Sequence, residues 1–150
     1  MRSRFGFTAI EMVMVTALIG ITSMIALPKL AAVREQSEIH GAKRQILTQL
    51  AGARGSAIQR GRTVQLRTVG NQVWLTSDVG GSQTSISPVV YTASSFGVTV
   101  TASHDPITFD ARGFATSLPA TGAMFVLESA ARRDSICVTR LGLPLPECGL

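Results

Sequence analysis

From Phe7 to Leu27 the chain is apolar on every face of a helix, and Glu11 is the only charged residue in the run. At 1.5 Å rise per residue that stretch spans roughly 30 Å, the thickness of a bilayer core. A different pattern follows. Val33, Ile39, Ala42, Ile46, Leu50, Ala53, Ala57 and Ile58 recur at spacings near three and four, which predicts an amphipathic helix with one apolar face. Pro28 sits between the two patterns, where a proline removes one backbone hydrogen bond and kinks a helix. Gly41, Gly52 and Gly55 each weaken the second half by up to about 1 kcal/mol relative to alanine. The apolar spacing continues past each of them, so the pattern predicts one long kinked helix from Phe7 to about Gln59.

Beyond Arg62 the period changes to two. "RTVQLRTV" and "QVWLTS" alternate on either side of Gly70-Asn71, a hairpin signal. "VVYTAS", "GVTVTAS", "ITFDARG", "AMFVLES" and "SICVTRLG" follow, separated by turn-rich stretches such as "DVGGSQTSISP" and "SLPATG". These predict about seven short antiparallel strands. The fold class is therefore α+β: a long N-terminal helix, its first half membrane-spanning and its second half amphipathic, packed on C-terminal antiparallel sheets. Trp74, Phe109, Phe114 and Phe125 lie in or beside these strands and are expected in the core.

Charge sharpens the division. Residues 29–67 carry eight basic side chains against two acidic ones, and residues 68–150 carry four against six. The net charge of +5 thus belongs to the segment after the apolar run and not to the C-terminal body. Cys137 and Cys148 are close in sequence and suit a disulfide in an oxidising compartment, or else stand as two separate thiols. His40 and His104 fall in unrelated segments and give no zinc spacing. With no Gly-x-Ser-x-Gly, no phosphate loop and no metal spacing, the chain gives no case for an enzyme, a catalytic residue, a metal or a cofactor. Asp105 and Asp110 read as turn chemistry, or at best as a calcium-like loop.

Glu11 is the anomaly. An ionisable group within a spanning segment is costly and calls for a partner. No cation lies within helical reach on its C-terminal side. If the chain were cut after Gly6, the new α-amine of Phe7 would stand four residues before it. A secretory signal cleaved near Ala31 or Ala32 fits less well, because its apolar region would be shorter and free of acid. A plain anchor has no need of Glu11.

Taken together, the basic leader with Arg2 and Arg4, Gly6-Phe7, Thr8, Ile10, Glu11, the long apolar run and Pro28 resemble the class III signal of type IV pilins and type II secretion pseudopilins. The resemblance implies cleavage between Gly6 and Phe7 by the prepilin peptidase and N-methylation of Phe7. It further implies that Glu11 pairs with a neighbouring subunit's amine during assembly, and that Pro28 is the helix kink. Ala9 stands where the family usually has leucine. The organisation implied is a cleaved leader at 1–6, a transmembrane and filament-core helix at 7–27, its amphipathic continuation at 28–60 and a periplasmic β-rich head at 61–150. The protein is then expected to be single-pass in the bacterial inner membrane, N-terminus cytoplasmic, before entering a filament with other pilin or pseudopilin subunits.

The stretch "PITFDARGFATSLPATGAMFVLESAARRDSICVTRLG", residues 106–142, resembles the GspH/FimT group of minor pilins and pseudopilins. The implied function is a minor subunit of a type IV pilus or a type II secretion pseudopilus, near the filament tip. The alternative is a DNA-binding minor pilin for natural transformation. In that variant a Gly-Arg-x-Arg stretch follows the last strand. Here the corresponding residues are Gly142-Leu143-Pro144-Leu145, which leaves Arg132, Arg133 and Arg140 as weak nucleic-acid candidates and DNA as an unexpected partner.

Overall fold

An apolar helix stripe needs a surface to cover, and between Glu35 and Leu150 two antiparallel sheets supply one. A computed structural model describes residues 8–130, 132–145 and 148, with the side chains of residues 27, 28, 31 and 32 outside that set. The chain divides into two compact units, Met1–Arg34 and Glu35–Leu150. Helix α1 (Ala9–Arg60) begins in the first and ends in the second, and its helical assignment is unbroken across Pro28.

In the first unit the stretch Ala9–Ala26 is long and apolar enough to cross a membrane, and none of it is buried. Its large side chains, among them Ile10, Met12, Leu18, Ile21 and Met24, point outward on all sides. The hydroxyl of Thr16 donates to the Val13 carbonyl at 2.9 Å, and that of Thr22 donates to the Leu18 carbonyl at 2.9 Å. Polar side chains that return their hydrogen bonds to their own helix are tolerable in hydrocarbon.

In the second unit α1 buries Ile39, Ala42, Ile46, Leu50, Ala53 and Ala57. Val33 and Ile58, expected on that face, are exposed. The first sheet has the order β3-β2-β1-β6, with β4 also pairing β2. Its strands are β1 (Val64–Val69), β2 (Gln72–Val79), β3 (Ser82–Ser85), β4 (Val90–Tyr91) and β6 (Ile107–Phe109). The second runs β5-β7-β8-β9, from β5 (Thr99–Ala102), β7 (Ala123–Glu128), β8 (Arg133–Val138) and β9 (Pro144–Leu145). Alternation places Val64, Leu66, Val73, Leu75, Ile107 and Phe109 of the first sheet inward. Ala123, Phe125, Leu127, Ile136 and Val138 of the second do the same, and both sets join the helix stripe in one cluster.

The β1–β2 turn is the predicted one, with Gly70 at φ 58° and Asn71 at φ 65°. Asn71 also stitches the two sheets. Its Oδ1 accepts the Val100 amide at 2.8 Å, and its carbonyl accepts both the amide and the hydroxyl of Thr92, at 2.9 and 3.0 Å.

Three local readings need correction, and the tail adds a strand. "VVYTAS" is a strand only at Val90–Tyr91, because the hydrogen bonds of buried Thr92 to Asn71 turn the chain into helix α2 (Thr92–Phe96). The supposed turn "DVGGSQTSISP" contains β3, whose residues are all exposed and so show no alternation. The tail contributes β9. Phe114 is not core: it is 40% exposed, with the Arg112 guanidinium 5.6 Å from its ring centre. Trp74 is half-buried, while Phe109 and Phe125 are fully enclosed.

Helix α2 explains Gly41. A Cβ there would stand 3.0 Å from the Phe96 ring, so the missing side chain is the seat of that ring. Gly41→Leu is expected to cost about 1–3 kcal/mol in urea unfolding. Adding Phe96→Ala should recover part of that loss, and strictly additive effects would disprove the contact.

Candidate assembly site and head surfaces

The first turn of α1 is built by residues 8 to 11. The Thr8 amide donates to Glu11 Oε2 and the Glu11 amide donates to Thr8 Oγ1, both at 3.4 Å. This is a reciprocal capping box, in which Thr at the N-cap and Glu three residues on satisfy two of the donors that a helix start leaves open. The negative charge also faces the positive end of the helix dipole. Glu11 thus has a local partner in Thr8, written in the sequence as Thr-x-x-Glu. One donor does not exhaust a carboxylate with roughly four acceptor positions. Glu11 is exposed, so the rest of its capacity stays open to a cation from outside. Gly6 and Phe7 lie outside the described residues, as does the side chain of Pro28.

In the head, Cys137 and Cys148 are joined, with Cα atoms 5.2 Å apart. Their bond fastens Cys148, beyond β9, to strand β8. The predicted basic group does not form one surface. Arg132 and Arg133 sit at the start of β8 beside Gln36 and His40 of α1. Arg140 lies past the far end of β8, where its carbonyl accepts the Ala115 amide at 3.0 Å. At 3.2–3.4 Å per residue, Arg133 and Arg140 are separated by more than about 20 Å of chain.

Lys43 bonds both oxygens of Asp134, at 2.9 and 2.8 Å, and so ties the helix to β8. No sequence pattern announces this pair, whose members are 91 residues apart. The loop after β6 is organised by Asp110, whose Oδ1 accepts the Arg112 and Phe114 amides at 3.0 and 2.9 Å. The Phe114 amide, followed by Arg112, holds the Asp110 carboxyl below its ordinary range. Asp105, expected to serve its own turn, bonds instead to strand β1: it accepts the Thr68 amide, 37 residues away, at 2.7 Å and faces Arg67 at 3.7 Å. Among the described residues no three His, Cys, Asp or Glu side chains gather as a metal site.

This arrangement, a bare apolar helix followed by a helix-backed pair of sheets closed by a tail disulfide, is that of a pilin-like subunit. The family model "Type II transport protein GspH" matches residues 42–142, and the chain belongs to that family of minor pilins and pseudopilins. Its fold is similar to that of the type IV minor pilin FimU of Pseudomonas aeruginosa in two crystal forms. The first has a TM-score of 0.62 at 17% identity, over 75% of this chain and 90% of that one. The second has a TM-score of 0.58 at 17% identity, over 72% and 91%. No curated protein matches the chain.

Two expected outcomes follow from the head. Cys148→Ser removes a short closed loop and should cost roughly 3 kcal/mol in chemical unfolding; an unchanged midpoint would show that the tail bears no load. Because the folded Asp110 carboxyl is depressed, its contribution is present above the unfolded value and is lost as pH falls through the folded one. Asp110→Asn should therefore be less stable than the parent at neutral pH, with the gap closing on acidification. A gap independent of pH would contradict the assignment.

Proposed function

We propose that the chain is a minor pilin or pseudopilin subunit that enters a type IV pilus or a type II secretion pseudopilus, near its tip. The prepilin peptidase cuts between Gly6 and Phe7, and Phe7 becomes the methylated N-terminus. Before assembly the protein is single-pass in the bacterial inner membrane, its leader cytoplasmic and its head periplasmic. The apolar half of α1 then passes from lipid into a core of other subunits' helices, with Pro28 as its kink. Glu11 pairs with a neighbour's new amine. In a low-dielectric core, oppositely charged groups attract strongly and an unpaired charge is penalised, so the pair sets register.

The observation that carries this reading is the Ala9–Ala26 helix: apolar on every face, wholly unburied, and charged only at Glu11. Its side chains need lipid or other helices around them. The DNA-binding alternative gains nothing from the head, since Arg140 stands apart from Arg132 and Arg133.

The capping box supplies a clean test. Glutamine at the same position still caps the helix but carries no charge. Glu11→Gln should therefore leave membrane level and helix content unchanged, while the amount recovered in sheared filaments or pseudopili falls at least about tenfold. Normal incorporation of the glutamine variant would remove the ion pair from the account and leave Glu11 a cap alone.

A further inference from the structure

Two open cavities on the head meet at Arg133 and Asp134. One, about 440 Å³, lies between α1 and the start of β8, with Gln36, His40 and Arg132 at its rim and buried Ile39 among its lining residues. The other, about 350 Å³, continues over the outer face of β7 and β8, past Met124, Val126 and Ser135. Together they make one groove, cationic at one end and apolar at the other.

The charges in this groove are unevenly committed. Asp134, its one lining acid, is already held by both bonds from Lys43. Arg133 pairs with Glu128 at 3.0 Å, but both side chains are more than half exposed, and such pairs are weak and exchangeable. Arg132 has no ion-pair partner among the described residues. The groove thus presents two available guanidinium groups, the bidentate partners of carboxylates. At the other end Met124 is 37% exposed, a flexible side chain suited to adapting to an incoming apolar group.

The edge of β8 explains how an occupant would be read. Strand β9 pairs β8 only at Cys137 and Val138, so the first half of β8 has no strand on that side among the described residues. A bare edge would invite strand addition. Here the Ser135 amide is taken by Asp134 Oδ1 at 2.7 Å, and Lys43 fixes that carboxylate. At that position an added strand would find no free amide, so recognition there comes from side chains.

We infer that this groove docks an extended segment of a neighbouring protein that carries, on one face, a carboxylate at one end and apolar side chains two and four residues further on. The carboxylate is received by Arg132 and Arg133, and the apolar group lies on Met124 and Val126. Charge complementarity and the apolar half select this occupant over nucleic acid. A strand of phosphates needs a longer basic track, and the next candidate, Arg140, lies past the opposite end of β8. The inference rests on the filament reading only in making the neighbour another subunit. The groove's chemistry stands without it.

The test uses the full chain in neutral detergent and fluorescence anisotropy with an acetylated, labelled Glu-Ser-Leu-Ser-Leu peptide. The peptide is expected to bind, and its glutamine analogue to bind more weakly. Arg132→Glu with Arg133→Glu, and separately Met124→Asp, should each weaken binding about tenfold or more. Arg140→Glu should leave it unchanged, and all variants should keep the parent's cooperative unfolding. Absence of binding, equal binding of the glutamine analogue, or an equal loss with Arg140→Glu would overturn the proposal. Displacement of the peptide by lower concentrations of oligothymidylate would turn the groove into a nucleic-acid site. Displacement by glycerol phosphate would turn it into a lipid-headgroup site. Since binding is read on unassembled protein, these outcomes are independent of whether Glu11→Gln blocks assembly.

Discussion

The burial of one face of α1 against the two sheets is the interaction on which the head depends. The inward faces of β1, β2 and β6 and those of β5, β7 and β8 form one cluster with Ile39, Ala42, Ile46, Leu50, Ala53 and Ala57. Without the helix both sheets would present apolar surface to water, and neither has a second layer of its own. The same chain, traced back to Ala9, has no such stripe. Every face is apolar and nothing covers it. A helix satisfies its own backbone, so it tolerates lipid on all sides, and the first half of α1 needs no protein partner to be stable in a membrane. The change from an all-round apolar surface to a single stripe is what divides this protein's physical environments.

Glu11 illustrates how one side chain answers two demands. In the single chain it caps its own helix through Thr8 and sits at the positive end of the dipole. That arrangement lowers the cost of carrying a carboxylate at the edge of an apolar segment without neutralising it. A residue that is partly satisfied, exposed and still charged can be held in a membrane and can also attract a cation in an assembly. The local cap and the proposed intersubunit pair are therefore compatible uses of different acceptor positions.

Much of the architecture was legible because period and composition are physical signals. The three-and-four spacing from Val33 to Ile58 met the sheets between Ile39 and Ala57, and the alternation of "RTVQLRTV", "QVWLTS" and "AMFVLES" marked strands, although Trp74, expected in the core, stands half-buried on the face opposite Val73 and Leu75. Gly70-Asn71 gave the hairpin because both residues must adopt positive φ. What escaped was set by tertiary contacts or lacked contrast. Strand β3 is polar and exposed throughout, so it offers no pattern. Helix α2 forms where Thr92 meets a carbonyl 21 residues away and Phe96 meets a missing side chain on α1. The Lys43–Asp134 tie and the separation of Arg140 from Arg132 depend on which strand lies beside which helix. Of the candidate site, the charge at Glu11 stood out in the sequence. Its cap was equally written there, in the Thr8-x-x-Glu11 spacing.

The central claim, that this N-terminus is processed for assembly, is tested most directly by the intact mass and N-terminal sequence of the protein purified from membranes. The account predicts a chain that begins at Phe7 and carries one added methyl group, so that each subunit offers a new amine to a neighbour's Glu11. A chain that begins near Ala32 would contradict it. The apolar run would then be a discarded signal, and the head a free domain with no filament to join.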